Sequence, residues 1–340
     1  MTALAAEPIA IAAAPVVAEV LEADLAVVTH GLTKTYGDVH AVIDVDMRIE
    51  RGAIVGLLGP NGSGKTTLIR MLSTLLRPTS GHALVGGFDV HRQPADVRRC
   101  IGLTGQFAAV DEFLTGRENI RMMGRLAGMS ASQASRRADE LLSSFGLQDS
   151  ADRHLSTYSG GMRRRLDLAL SLTGHPDIVF LDEPTTGLDP RSRFAMWEVI
   201  ESLVAAGTTV LLCTQYLEEA DRLAQRVVIL DEGRVVAEGP PGDLRRQVGG
   251  IVVELDLRDA AQRTHAVDVL APTTTSPITG DPNDPHLRIP VIDAEQLAAV
   301  VRLLDGASIP FHALALHEPT LDDVFLALTG HAIKHKEDTK

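Results

Sequence analysis

Gly59-Pro60-Asn61-Gly62-Ser63-Gly64-Lys65-Thr66 is the stretch on which the reading of this chain turns. It matches the pattern G-x-x-x-x-G-K-[ST]. The apolar run Ala53-Ile54-Val55-Gly56-Leu57-Leu58 precedes it and reads as a buried strand. The stretch after it, 65–76, has helical spacing. Glycines let the backbone wrap closely, so that successive N–H groups point at phosphate oxygens. A helix that starts near Lys65 adds its positive end. Lys65 then reaches the β- and γ-phosphates, and the Thr66 hydroxyl binds Mg²⁺. Gly59, Pro60, Asn61, Gly62, Ser63, Gly64, Lys65, Thr66 and Thr67 form the expected nucleotide-binding set. Asn61-Gly62-Ser63 also fits a glycosylation sequon, which within this loop is a coincidence.

A second element answers the first. Ile178-Val179-Phe180-Leu181 reads as a strand and ends in Asp182-Glu183. Acids at the end of a central strand lie beside the phosphate loop, at the carboxyl edge of the sheet. Asp182 is expected to hold Mg²⁺, and Glu183 to polarise the attacking water as general base.

Around these motifs, β-rich runs alternate with amphipathic stretches from Ala26 to about Gly250. Thr208-Thr209-Val210-Leu211-Leu212 is another continuous apolar run, as expected of strands covered on both faces. Helical spacing recurs at 65–76, 131–145, 161–173, 191–206 and 216–225. The alternation predicts an α/β domain with a largely parallel sheet. After Gly249-Gly250 the texture changes. Strands at 251–257, 287–292 and 310–317 and helices at 259–269, 293–305 and 319–329 predict a small α+β module, and a ferredoxin-like arrangement fits. The loop-rich patch 271–285 separates its first helix from its second strand.

Composition narrows the class. The 340 residues include 32 Lys+Arg and 45 Asp+Glu, a net charge of −13. Residues 1–27 hold four acids and no Lys or Arg; residues 248–340 hold 14 acids against 7 bases. The excess acid therefore belongs to the ends, and the middle is nearly neutral. This balance argues against a general nucleic-acid binder, which needs a basic face. It also gives no electrostatic grip on an anionic bilayer. No uncharged apolar run reaches the roughly 18–20 residues of a membrane helix. The Ala-rich start holds Glu7 and lacks a basic region, which makes a poor signal peptide. Cys100 and Cys213 lie far apart and form no framework, as in a reduced cytoplasmic setting.

Leu155-Ser156-Thr157-Tyr158-Ser159-Gly160-Gly161-Met162-Arg163-Arg164-Arg165-Leu166 discriminates among nucleotidases that share the first two motifs. It resembles the signature of ABC ATPases, with Ser159, Gly160 and Gly161 intact. Met162 stands where Gln is frequent, and Tyr158 where Leu is. Physically it offers another anion site, a hydroxyl and Gly N–H groups at a helix start; as a plain alternative, Ser159 is a helix cap. The resemblance implies that this element faces the γ-phosphate bound by the opposite subunit. It extends over 28–247, with a helical subdomain at about 107–173. Leu32-Thr33-Lys34-Thr35-Tyr36-Gly37 then places Tyr36 on the adenine. Stacking reads a π face rather than base edges, so GTP is admitted beside ATP. Gly105-Gln106 resembles the Q-loop, which puts Gln106 near Mg²⁺ and the attacking water. Leu114-Thr115-Gly116-Arg117-Glu118-Asn119 falls near the membrane partner. Gly187-Leu188-Asp189-Pro190 matches the loop that crosses to the opposite subunit, through Asp189.

One position departs from the family pattern. Where a His usually contacts the γ-phosphate, this chain has Gln215, in Cys213-Thr214-Gln215-Tyr216-Leu217-Glu218-Glu219-Ala220-Asp221. A Gln amide donates a hydrogen bond but does not titrate near neutral pH. The resemblance thus makes Lys65, Glu183 and Gln215 the catalytic group, and Thr66, Gln106 and Asp182 the Mg²⁺ group.

That Gln-containing segment and the ending Glu318-Pro319-Thr320-Leu321-Asp322-Asp323-Val324-Phe325-Leu326-Ala327-Leu328-Thr329-Gly330 look like daunorubicin-resistance-type ATP-binding subunits. The fold implied is the α/β P-loop NTPase of the ABC type, with a helical subdomain and a small C-terminal α+β module. Residues 1–27 are then an acidic tail, 28–247 the ATPase core, 248–331 a regulatory or assembly module, and 332–340 a polar tail. The resemblance implies an ATPase at the cytoplasmic face of a bacterial membrane. Two copies would share two ATP molecules and drive a separate multi-helix permease that exports a hydrophobic drug or antibiotic. Export of a lipid or polysaccharide would use the same machinery. A soluble role in translation usually brings two cassettes per chain, whereas one phosphate loop and one signature are found. A DNA-repair role needs a long coiled-coil insertion, which does not fit between Gly59 and Ser159. The C-terminal motif also reads as helix-start chemistry, since Pro and early acids suit a first turn, and packing with regulation or subunit contact is favoured for it over catalysis.

Overall fold

The computed structural model describes residues 24–105, 110–248, 251–274, 277–279, 285–291, 294–317 and 319–329. Most of the expected N-terminal tail (1–23), the C-terminal tail, Gln106, and Glu318 and Gly330 of the C-terminal motif lie outside them. In chain order the elements begin with β1 (Leu25–Tyr36), β2 (Val39–Glu50), β3 (Ile54–Leu58), α1 (Lys65–Leu72), β4 (Ser80–Val85) and β5 (Phe88–Asp89). Then follow α2 (Pro94–Cys100), β6 (Ile101–Thr104), α3 (Gly116–Leu126), α4 (Ala131–Ser144), α5 (Gly160–Ser171) and β7 (Ile178–Asp182). Next are α6 (Pro190–Ala205), β8 (Thr209–Thr214), α7 (Leu217–Leu223), β9 (Arg226–Asp231), β10 (Arg234–Gly239) and α8 (Pro241–Val248). Last come β11 (Ile251–Leu257), α9 (Arg263–Leu270), β12 (His286–Val291), α10 (Ala294–Gly306), β13 (Phe311–His317) and α11 (Leu321–Thr329).

The chain forms two compact units. One comprises Met1–Gln215, Leu223–Gln225 and Leu230–Val235; the other comprises Tyr216–Arg222, Arg226–Ile229 and Val236–Lys340. In the first, β3, β8, β7 and β6 run parallel, in that order. Every residue of β3, β7 and β8 is buried, which is why their sequences are continuous rather than alternating. The antiparallel sheet β2-β1-β4-β5 has the opposite texture. In β2, Val42, Val45, Met47 and Ile49 are buried while Asp44, Asp46, Arg48 and Glu50 face out. The period of two turns one face to the core and leaves the other to water.

Helix α1 is shorter than its expected span of 65–76. It ends at Leu72, and Thr74 takes a left-handed conformation with φ 65°. Leu75 continues the apolar spacing on paper but is 65% exposed. The backbone reverses at Thr74, and the Leu76 N–H closes onto Arg70 O at 2.9 Å. The helices of the expected helical subdomain start with strong caps. Thr115 with Glu118 and Ser130 with Gln133 each form a capping box, and the Ser159 hydroxyl accepts the Met162 N–H.

In the second unit, β11 lies between β12 and β13 and is antiparallel to both. Residues Val253, Leu255 and Leu257 alternate with polar neighbours, as do Leu287, Ile289 and Val291 of β12. Ala266 and Leu270 of α9 and Val300 and Leu304 of α10 cover that face. The connection β12–α10–β13 straddles β11, a split βαβ unit. Thr279 pairs antiparallel with Arg288, on the side of β12 away from β11. This bridge occupies the place of the fourth strand in a ferredoxin-like arrangement, so that expectation meets a module whose fourth strand is reduced to one pair among the described residues. Thr320 and Asp323 cap α11 reciprocally, and Leu321, Val324 and Phe325 are buried. The helix-start and packing readings of this segment therefore hold together.

Candidate functional site

The phosphate loop follows directly from the end of β3. Gly59, Gly62 and Gly64 have φ of 150°, 88° and 105°. At Gly64 the left-handed backbone caps α1, and a Cβ there would stand 2.3 Å from Ala41 O. Only glycine fits that approach. Gly64→Ala should therefore lower the melting temperature and abolish nucleotide binding together, measured by thermal unfolding and nucleotide titration. Unchanged binding would show that the loop tolerates the collision.

Inside the loop, Lys65 is 5% exposed, and its Nζ donates to Gly59 O at 2.7 Å and Pro60 O at 2.9 Å. The Ser63 hydroxyl is buried and has no hydrogen-bond partner among the described residues. An ammonium held by neutral carbonyls beside an unsatisfied hydroxyl suits an anion of several oxygens.

Thr66 and Asp182 meet across the sheet edge, with Thr66 Oγ1 donating to Asp182 Oδ1 at 3.4 Å. Asp182 is 4% exposed. Burial pushes its carboxyl above the ordinary range, and the neighbouring Glu183 charge adds to this. Hydrogen bonds from Thr66 and the Cys213 thiol, and the Lys65 charge, pull the other way. The Cys213 thiol is itself pushed far up by burial. Among the described residues no group of three or more His, Cys, Asp or Glu is placed to hold a metal. A cation here would need the Thr66 hydroxyl, Asp182 and phosphate oxygens together, and the first two are within reach of each other.

Glu183 has φ 52°, a left-handed backbone. Its N–H donates to Cys213 O at 2.8 Å, and Thr186 Oγ1 donates to its Oε2 at 3.2 Å. Gln215 is 3% exposed and accepts from Asn61 Nδ2 at 3.4 Å through Oε1. The fold thus brings Asn61, Lys65, Thr66, Asp182, Glu183 and Gln215 to one edge of the parallel sheet, where β3, β7 and β8 end.

Other expected residues lie elsewhere on the chain. Tyr36 is 47% exposed, and Lys34 Nζ lies 5.1 Å from its ring centroid. Among the described residues no hydrogen bond joins Ser159, Gly160 or Gly161 to the phosphate loop. Gly160 has open space where a side chain would stand, while a Cβ on Gly161 would meet Ser192 Oγ at 2.8 Å. Asp189 caps α6, accepting from Ser192 N at 2.9 Å and Ser192 Oγ at 2.8 Å. Thr67 sits in the first turn of α1.

Three features were not read from the sequence. Tyr158 is buried, and its hydroxyl donates to Ser150 O at 2.6 Å. A Cβ at Gly116 would stand 2.3 Å from that hydroxyl. The larger residue in the signature is accommodated by a glycine forty-two positions earlier, a pairing no local pattern reveals. The Cys213 thiol bonds Asp182, whereas the sequence shows only that Cys213 lies far from Cys100. Arg164 reaches the backbone of Glu183 and Pro184 from α5.

A family model described as ABC transporter matches residues 42–186. The chain is 50% identical to the daunorubicin/doxorubicin resistance ATP-binding protein DrrA of Streptomyces peucetius, over 90% of this chain and 93% of that protein. It is 45% identical to the doxorubicin resistance ATP-binding protein DrrA of Mycobacterium tuberculosis, over 90% of this chain and 94% of that protein. Among solved structures, a dimeric post-hydrolysis state of an ATP-binding cassette with ADP and phosphate matches with a TM-score of 0.58 and 28% identity. That match covers 63% of this chain and 98% of the other.

Proposed function

The chain belongs to the ABC transporter family of ATP-binding subunits, and from that premise we propose that it powers export of a hydrophobic drug or antibiotic through a separate membrane permease. It is an ATPase of the ABC type with a nucleotide-binding P-loop fold. The observation that carries the catalytic reading is the meeting of Thr66 and Asp182 beside Glu183 and Lys65. What supports the drug cargo is half-identity along nine-tenths of the chain to a drug-resistance subunit.

In this reading Lys65 exchanges the carbonyls of Gly59 and Pro60 for the β- and γ-phosphate oxygens of ATP. Charged acceptors replace neutral ones, which strengthens both hydrogen bonds. Thr66 and Asp182, with Gln106, would hold Mg²⁺, which would offset the negative charge of the transferring phosphoryl group. Glu183 accepts a proton from the attacking water, whose oxygen bonds to the γ-phosphorus as the bond to the bridging oxygen breaks. ADP and phosphate result. Gln215 turns its amide N–H toward the γ-phosphate, and Tyr36 stacks on the base. The Ser159-Gly160-Gly161 of the partner subunit closes over the γ-phosphate, with Asp189 at the crossing. Closure of the dimer then drives the permease from the cytoplasmic face. Residues 28–247 carry the chemistry, and 248–331 serve assembly or regulation. No helix among the described residues is long and apolar enough to cross a membrane, so attachment through a protein partner fits.

Gln215→Ala should slow hydrolysis about ten- to a hundredfold while ATP binding changes little, the worth of one hydrogen bond to a charged group. Steady-state kinetics beside nucleotide titration checks this, and an unchanged turnover removes Gln215 from the site. The cargo is tested by searching the neighbouring open reading frame for a multi-helix permease and purifying the chain with it. Daunorubicin should raise the ATPase rate of the reconstituted pair. Stimulation by a lipid or polysaccharide and not by the drug overturns the drug reading.

A further inference from the structure

Arg164 sits on α5, five residues beyond Ser159. Its guanidinium leaves the helix for three main-chain oxygens on two other segments. Nε donates to Pro184 O at 2.9 Å, Nη2 to Glu183 O, and Nη1 to Gly105 O at 3.3 Å. Asp167, one turn along the same helix and nearly fully buried, places Oδ2 3.9 Å from Nη1. The planar fork of a guanidinium can hold several carbonyls in one fixed geometry, which a lysine ammonium cannot.

The neighbouring arginines do different work. Arg163 pairs with Glu112 at the surface, and Arg165 donates to Phe145 O at 3.0 Å. A helix turns about 100° per residue, so three successive arginines point three ways. One of them addresses the backbone of the expected general base.

That backbone needs holding. Glu183 has the left-handed φ of 52°, which a residue with a Cβ keeps only when its neighbours over-determine it. Cys213 O binds its N–H on one side and Arg164 binds its C=O on the other. The same guanidinium holds Gly105, the residue before Gln106 in the chain.

We propose that Arg164 is a positioning residue that ties the helix begun by Ser159-Gly160-Gly161 to the turn that aims Glu183. Engagement of that helix start by nucleotide in the opposing site and alignment of the base in this chain's own site then become one event. The proposal rests on the reading of Glu183 as base and of the sites as shared.

The test uses Arg164→Ala and Arg164→Lys in the full-length chain, with single-turnover ATP hydrolysis and mant-ATP binding as readouts. A misaligned base costs rate without costing binding. Arg164→Ala should lose about ten- to a hundredfold in rate with mant-ATP affinity unchanged within about twofold. Arg164→Lys, which keeps the charge beside Asp167 but not the fork, should recover part of that loss, and it carries the comparison if the Ala variant does not fold. In a Glu183→Gln background, Arg164→Ala should add less than about twofold, because both changes remove the same step. A wild-type rate in Arg164→Ala overturns the proposal. So does an equal loss in the Glu183→Gln background, or a parallel loss of mant-ATP binding, which marks a merely structural role. A wild-type rate in Glu183→Gln alone overturns instead the base assignment beneath it.

Discussion

Glu183→Gln should lower the rate of ATP hydrolysis about 10²–10⁴-fold and leave nucleotide binding intact. The substitution keeps the size and shape of the side chain and removes its capacity to accept a proton. The surrounding contacts predict little structural cost. The Glu183 N–H and C=O are held by Cys213 O and Arg164, both independent of the side chain. Thr186 Oγ1 still finds a carbonyl oxygen in the amide. The variant should therefore bind ATP, accumulate as an ATP-bound dimer and stall there. Single-turnover hydrolysis and size-exclusion chromatography with and without MgATP report both halves. A normal rate would move the base elsewhere in the chain.

Asp182→Asn should stabilise the nucleotide-free chain and at the same time remove Mg²⁺-dependent hydrolysis. The carboxylate is buried at the end of β7, and its ordinary pKa is raised chiefly by that burial, then by the charge of Glu183. A carboxyl whose folded pKa exceeds the unfolded value of about 3.9 binds its proton more tightly in the folded state. Its favourable contribution is present at low pH and is lost as pH rises through the folded pKa. At neutral pH the free protein thus carries a buried charge that Mg²⁺ would compensate. The Asn variant carries none. Its melting temperature should exceed that of the wild type at pH 7, and the gap should close as pH falls toward 4. Mg²⁺ with ATP should stabilise the wild type more than the variant. A variant less stable than the wild type at pH 7 would mean that the Thr66 and Cys213 hydrogen bonds outweigh the desolvation.

These two positions were legible because their chemistry is local. Asp182 and Glu183 end an apolar run, and such a run is a buried strand whose end faces the phosphate loop. Lys65 and Thr66 follow glycines at fixed spacing, and the αL backbone at Gly64 follows from that spacing. The end of α1 was less legible, because Leu75 and Leu76 continue a helical stripe that the turn at Thr74 interrupts. The C-terminal module was readable strand by strand, since alternation along β11 and β12 is a property of one segment. Its order β12-β11-β13 required the assembled sheet.

The amino-acid sequence by itself determined the P-loop fold, the glycine-rich loop at 59–66 and the pair of acids at the end of β7. Those features depend on backbone spacing and on burial of single strands, which neighbours in the chain dictate. Only the tertiary structure decided that Arg164 rather than Arg163 or Arg165 holds the Glu183 turn, that Tyr158 packs over Gly116, and that Cys213 bonds Asp182. Each of these joins segments from 19 to 59 residues apart or across parallel strands, through directional bonds of a few ångströms. Helical and strand periods say which way a side chain leaves its own element, but not which backbone it meets.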